Sequence, residues 1–202
     1  MKKLVSGIGI ISFLFILLYS SVIAQEKTSP KAELPVLITS CGQSPGPVRL
    51  KVFMKRLKFP FDYNLHATAA DLVKKKEAGT PYKTLIIVTG ASLKGMGAAG
   101  VSIKDELSRI NKLIEEAKKQ KITIIGAHIE GMARRAQGAA PGDNTDELSI
   151  DAVCPRSDIL LIRKDGNADG RFTTISKGKK IPMILFEKNL EIPKVLKSLF
   201  EK

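Results

Sequence analysis

The chain holds two cysteines and two histidines, Cys41, Cys154, His66 and His128, so thiol, imidazole and transition-metal chemistry have few places to reside. Cys41 ends an apolar run and leads into Gly42-Gln43-Ser44. A thiol near the amino end of the helix expected after Pro47 would be acidified and nucleophilic; a small buried residue is the competing reading. His128 stands two residues before Glu130 and pairs a base with a carboxylate. A thiol hydrolase would use Cys41 with His128 as its base. Cys41, His66 and His128 each close an apolar run, and on neighbouring strands they would form a nitrogen and sulfur set for a transition metal. Strand side chains alternate, so any of the three can instead turn into a helix layer. Cys154 precedes a later run and is expected at the opposite end of the sheet, too far from Cys41 for a disulfide.

Asp165-x-Asn167-x-Asp169-Gly170 matches the first half of a calcium loop. Its twelfth position is Ser176 where a bidentate carboxylate belongs, and Asp169 as a helix N-cap explains the same residues. Thr89-Gly90-Ala91-Ser92 followed by Gly95-Met96-Gly97 looks like the cofactor loop of short-chain dehydrogenases. Its spacing is one residue too long and it follows the third strand, so no nicotinamide cofactor is expected. A nucleophile elbow, H-E-x-x-H, C-x-x-C and a phosphate loop are missing from the sequence.

The elements that must position these residues recur regularly. Apolar, β-branched runs at 34–40, 84–89, 122–129, 159–163 and 181–186, with a weaker one at 63–66, predict six strands. Near-continuous hydrophobicity requires burial on both faces, which means a parallel sheet covered by helices. Between them, Leu50, Phe53, Met54 and Leu57, then Ile103, Leu107, Ile110, Leu113, Ile114 and Ala117, then Ile192, Val195, Leu196, Leu199 and Phe200 repeat with helical period. The expected fold is a three-layer, doubly wound α/β domain, Rossmann-like or flavodoxin-like, with strand order 3-2-1-4-5-6 first and 2-1-3-4-5-6 second.

In such sheets ligands bind beyond the carboxyl ends of the strands. The segments there carry Cys41, Gly42, Gln43 and Ser44; Gly90, Ser92, Lys94, Gly95, Gly97 and Gly100; His128, Glu130, Arg134 and Arg135; and Asn167 and Asp169. The connection from Glu130 to Thr145 is long, whereas the opposite turns are short and plain. Glycines that admit backbone N–H groups, helix amino ends and the cations Lys94, Arg134 and Arg135 predict a pocket for a small carboxylate or phosphate. Tight turns and solvated arginines are the bland alternative.

Lys2-Lys3, an uncharged run through Leu18 and Val22-Ile23-Ala24 form a signal peptide over residues 1–24, with an uncleaved anchor as the competing reading. A polar leader over 25–33 and one domain over 34–202 follow. The chain is expected to be exported, periplasmic or extracellular after cleavage near Ala24, with no membrane span left. A formal charge of +13 suits anionic surfaces or ligands, or reflects solvated helix faces. Few aromatics and no recognition module argue against nucleic acid.

Leu-Ile-Thr-Ser-Cys-Gly-Gln-Ser-Pro-Gly from Leu37, Gly-Ala-Ala-Gly-Val-Ser from Gly97, His128-Ile-Glu-Gly with Ala133-Arg134-Arg135, and Gly166-Asn-x-Asp-Gly-x-Phe-Thr occur together. With the leader, they resemble a family of exported bacterial proteins known only as a domain of unknown function. The resemblance spans 34–190 and implies one α/β domain with a shared site in these loops, without an activity. The leading expectation is a non-catalytic envelope module that binds a small anionic solute or cofactor. The alternatives are a thiol- or metal-dependent hydrolase in the same loops, drawing on Cys41, His128, Glu130 or Asp165, and an interaction domain for an envelope protein partner.

Overall fold

A computed structural model describes residues 30–136 and 143–201. The expected signal, most of the leader and the Pro141-Gly142 part of the long connection lie outside the described residues.

Strands β1 (Val36–Cys41) and β3 (Thr84–Thr89) are buried along their whole length, and β4 (Thr123–His128) and β5 (Ile159–Arg163) along all but one residue. β2 (Phe61–Tyr63) and β6 (Met183–Phe186) are short and partly exposed. All pairings are parallel, in the order β2-β1-β3-β4-β5-β6. The three-layer α/β expectation holds, and the first-choice order 3-2-1-4-5-6 is corrected to the second. The fully buried β3 needs neighbours on both sides, so it lies between β1 and β4. The half-exposed β2 fits only an edge.

Helices α1 (Gly46–Arg56) and α7 (Ile192–Phe200) cover one face, where Leu50, Met54, Ile192, Leu196 and Leu199 meet Ile38, Ile86 and Ile125. Helices α2 (Ala69–Glu77), α4 (Ile103–Lys119), α5 (Thr145–Val153) and α6 (Arg171–Lys179) cover the other, with Leu72, Ile110, Leu113 and Phe172 inward. Ser102 opens α4 with a reciprocal capping box to Asp105, which satisfies donors the first turn would leave unpaired.

Three local expectations change. The second strand ends at Tyr63, so Leu65 and His66 lie in the following turn. Part of the glycine-rich segment after β3 folds as a short helix, α3 (Leu93–Ala99), capped by Ser92 and ended by Gly100 in the left-handed region. The end of the leader packs against α7: Lys31 Nζ donates to Ser198 O at 2.9 Å and Ala32 N to Leu199 O at 2.9 Å. Among the described residues no helix is long and apolar enough to cross a membrane.

Burial separates neighbouring positions of α1 sharply. Leu50→Ala should cost about 2–5 kcal/mol in urea unfolding, whereas Val52→Ala, at a half-exposed site, should stay within about 0.5 kcal/mol.

Candidate functional site

The carboxyl ends of β1 and β3 are joined backbone to backbone. Ser92 N donates to Gly42 O at 2.7 Å. Gly42 has φ +102°, and a Cβ there would stand 2.7 Å from both Ala91 Cα and Gly90 O. A Cβ on Gly95 would collide with Gln43 O. These two positions are therefore glycine because the loops touch, leaving no cleft between them for a ligand's phosphate. Gly97 and Gly100 face open space and Lys94 is exposed.

Beneath this junction lies a buried carboxylate that residue patterning had not singled out. Glu106 on α4 accepts from Gly42 N at 2.9 Å and from Arg109 Nη2 at 2.8 Å. Arg109 also donates to Ser40 O at 2.7 Å and Ala67 O at 2.8 Å, so one ion pair ties α4 to the end of β1 and to the turn before α2. Its signal was available: Glu106 precedes Ile110 by four and Leu113 by seven, a charge in phase with a buried stripe.

Cys41 lies in the same interior, fully buried. Burial, reinforced by the charge of Glu106, pushes its thiol up to about 12. Of the two readings of Cys41, the small buried residue holds and the reactive thiol falls, because almost no thiolate exists at neutral pH. Cys154 is a second buried free thiol, with its pKa also raised by burial.

Ser44 and Glu130 meet at the amino end of α1. Gly46 N donates to Glu130 Oε2 at 3.1 Å and lies 3.4 Å from Ser44 Oγ. Arg134 crosses the adjacent loop: its Nη1 donates to Ala91 O at 2.9 Å, its Nε lies 3.5 Å from Glu130 Oε1, and its aliphatic stem covers Gly90. Gln43 Nε2 approaches Nδ1 of the exposed His66 at 3.4 Å on the rim.

On the β4–β5 side the centre is Arg135, its side chain only 2% exposed. It donates to Glu147 Oε1 at 2.7 Å, to Asp169 Oδ2 at 2.6 Å and to Gly166 O, and it lies over the Phe172 ring. Burial works against the guanidinium, but Asp169 and Glu147 outweigh it and keep it charged. In return, hydrogen bonding from Arg135 lowers Asp169 to about 2. His128 is fully buried alongside, 3.0 Å from both Thr89 Oγ1 and Gly131 O and tilted on Phe172. Desolvation lowers its pKa to about 4, so it is neutral, donating through Nε2 and accepting through Nδ1.

These contacts correct several site expectations. The transition-metal set fails because β3 separates β1 from β4, His66 is exposed, and His128 has both nitrogens engaged. Among the described residues no group of three His, Cys, Asp or Glu side chains is placed to hold a metal ion. The calcium loop fails because Asp165 pairs with Arg163 at 2.6 Å, Asp169 with Arg135, and Asn167 Oδ1 accepts from Phe172 N at 2.8 Å at the start of α6. His128 as a catalytic base fails with its burial.

The sequence profile of DUF6305, a domain of unknown function, matches residues 33–200. The chain belongs to this family. No curated protein matches it. Solved structures with a related layout include a putative acylhydrolase from Bacteroides fragilis (13% identity, 80% of this chain and 72% of that one, TM-score 0.37). Others are an acetyl xylan esterase (8%, 81% and 85%, TM-score 0.39) and a GDSL-like lipase from Bacteroides thetaiotaomicron (16%, 74% and 66%, TM-score 0.33). The expected non-catalytic anion module is corrected. Its arginines are held by Glu130, Glu147 and Asp169 and are not free to meet an anion.

Two measurements follow. Arg135→Ala should destabilise by about 1–3 kcal/mol, because it empties a buried position and leaves Gly166 O and the partly exposed Glu147 and Asp169 without this donor; the more exposed Arg134→Ala should cost under about 1 kcal/mol in the same denaturant series. His128 is neutral when folded and charges near 6.5 when unfolded, so the unfolded state binds the extra proton between these values. Its stabilisation is therefore complete above pH 6.5 and is lost as pH falls through about 4, by on the order of 3 kcal/mol. Unfolding free energies at pH 7 and pH 4 should differ by less in His128→Gln than in the parent; an identical difference would refute the assignment.

Proposed function

We propose that the chain is a hydrolase of ester or acyl substrates, with Ser44 as nucleophile and Glu130 as the group that takes its proton. This keeps the hydrolase alternative and moves the nucleophile from the buried thiol to a hydroxyl. The observation that carries it is the shared Gly46 N–H, which brings Ser44 and Glu130 together at the amino end of an 11-residue helix.

Other hydroxyls at these strand ends are engaged. Thr39 and Ser40 donate to Leu65 O, Ser149 donates to Asp146 O, Thr89 is held by His128 and Ala127 O, and Ser92 caps α3. Ser44 accepts from Gly46 N and has no acceptor for its own hydrogen among the described residues. Its Oγ would bond to the substrate carbonyl carbon as its proton passes to Glu130. That transfer neutralises the carboxylate to which Gly46 N–H donates, releasing the N–H and the helix end toward the developing oxyanion. The leaving alcohol recovers the proton, and water, deprotonated by the same carboxylate, then cleaves the acyl-serine. Ser44 is buried in the resting arrangement, so a substrate must displace Arg134 from Ala91 O and Glu130.

The full chain should hydrolyse p-nitrophenyl acetate above the buffer rate and take a fluorophosphonate on Ser44, located by peptide mass spectrometry. Ser44→Ala should abolish both, and Glu130→Gln should lower turnover by about 100-fold or more. Turnover unchanged in Ser44→Ala, or no labelling and no turnover at all, would reject the proposal.

A further inference from the structure

The two helix layers differ in charge. α1 carries Arg49, Lys51, Lys55 and Arg56, and α7 carries Lys194 and Lys197; neither helix contains an acid. On the opposite layer, α2, α4 and α5 carry acidic residues from Asp71 to Asp151.

The acid-free layer also exposes aliphatic side chains where a water-facing helix would place polar ones. Val48 is 46% exposed, Val52 49% and Leu190 80%. They are grouped: Arg49 and Asn189 line one hollow of about 300 Å³ with Val48, Val52 and Phe53, and Leu190 follows Asn189. Helical spacing continues each apolar position into a cation on the same side, Val48 and Val52 into Lys55 and Arg56, and Leu190 into Lys194. The acids nearest in sequence are engaged. Glu187 pairs with Lys164 at 2.8 Å, and Glu191 accepts from the backbone N of Lys188 at 3.2 Å.

We propose that this layer docks on an anionic lipid surface, with Val48, Val52 and Leu190 entering the headgroup region and Lys55, Arg56 and Lys194 meeting the phosphates. Apolar side chains flanked by long cations are the composition that binds such an interface, where attraction contributes about 1 kcal/mol per cation and burial of aliphatic groups adds to it. Neither helix of this layer presents an acid to repel the headgroups, and of the two carboxylates beside Leu190, Glu187 is neutralised by Lys164 while Glu191 is outnumbered by the cations around it. An acidic protein would satisfy the cations but gives no reason for three aliphatic side chains to stand in water among them.

The chain contains no tryptophan, so Leu190→Trp places a single reporter on the patch and Lys112→Trp places one on α4, in the opposite layer. In the full chain, the Leu190→Trp emission should shift to the blue with vesicles of phosphatidylcholine containing about 30% phosphatidylglycerol, and not with phosphatidylcholine alone. The Lys112→Trp emission should not move. Adding Lys55→Glu and Lys194→Glu should weaken vesicle binding by roughly tenfold or more, and added salt should weaken it further. No shift, or equal shifts from both reporters, would overturn the proposal. A response to polyglutamate without one to vesicles would overturn it in favour of an acidic protein.

Discussion

A guanidinium taken out of water has to be surrounded by acceptors, and the carboxyl-end half of this domain is organised by that requirement. Arg135 recruits Glu147 from the start of α5, Asp169 from the turn before α6, and the carbonyl of Gly166. Each recruited group brings its own segment. Asn167 then caps the first turn of α6, Phe172 sits under the cation, and His128 is enclosed against that ring. Burying a charge is unfavourable unless every donor is met, so the arrangement admits few partial versions of itself. The loops look like a ligand cradle in sequence because they are rich in charges and glycine. In the folded chain those charges answer one another.

The β1–β3 end is held differently. There the chain approaches itself at Gly42 and Gly95, and the Glu106–Arg109 pair supports the junction from below. Between the two regimes lies the amino end of α1, with Glu130 reaching it from the end of β4 and Arg134 bridging toward Ala91. In the proposed hydrolase reading, the two buried junctions on either side would hold Ser44 and Glu130 in place, and Arg134 would lie across the way in.

The fold was legible where burial on both faces leaves an uninterrupted apolar run. Thr84–Thr89 and Ile159–Arg163 have the expected bounds. It was less legible at the edges, where Phe61–Tyr63 needs little hydrophobicity, and Leu65 and His66 read as strand although they form a turn. Strand order depends on which side each crossover takes, and no local pattern records that. Within the site, Arg134 and Arg135 are adjacent and chemically identical, yet one lies across a loop and the other is enclosed. Only Asp169 and Glu147, both distant in sequence, distinguish them. The reactive reading of Cys41 fails because burial, and after it the charge of Glu106 on α4, sets its environment, and not the helix that follows it.

The segregation of charge between the two helix layers has a consequence for how the molecule moves. A helix with its side chains is about 10 Å across, so two helix layers and a sheet separate the acid-free helices α1 and α7 from the acids of α2, α4 and α5 by more than the ~8 Å screening length of physiological salt. A distant object therefore meets a uniformly basic protein, and a close one meets whichever face is turned toward it. Near a negatively charged boundary the torque on the molecule exceeds what its net charge alone would produce. It should arrive already turned, with the sheet lying flat against the boundary and the carboxyl ends of its strands opening sideways along it.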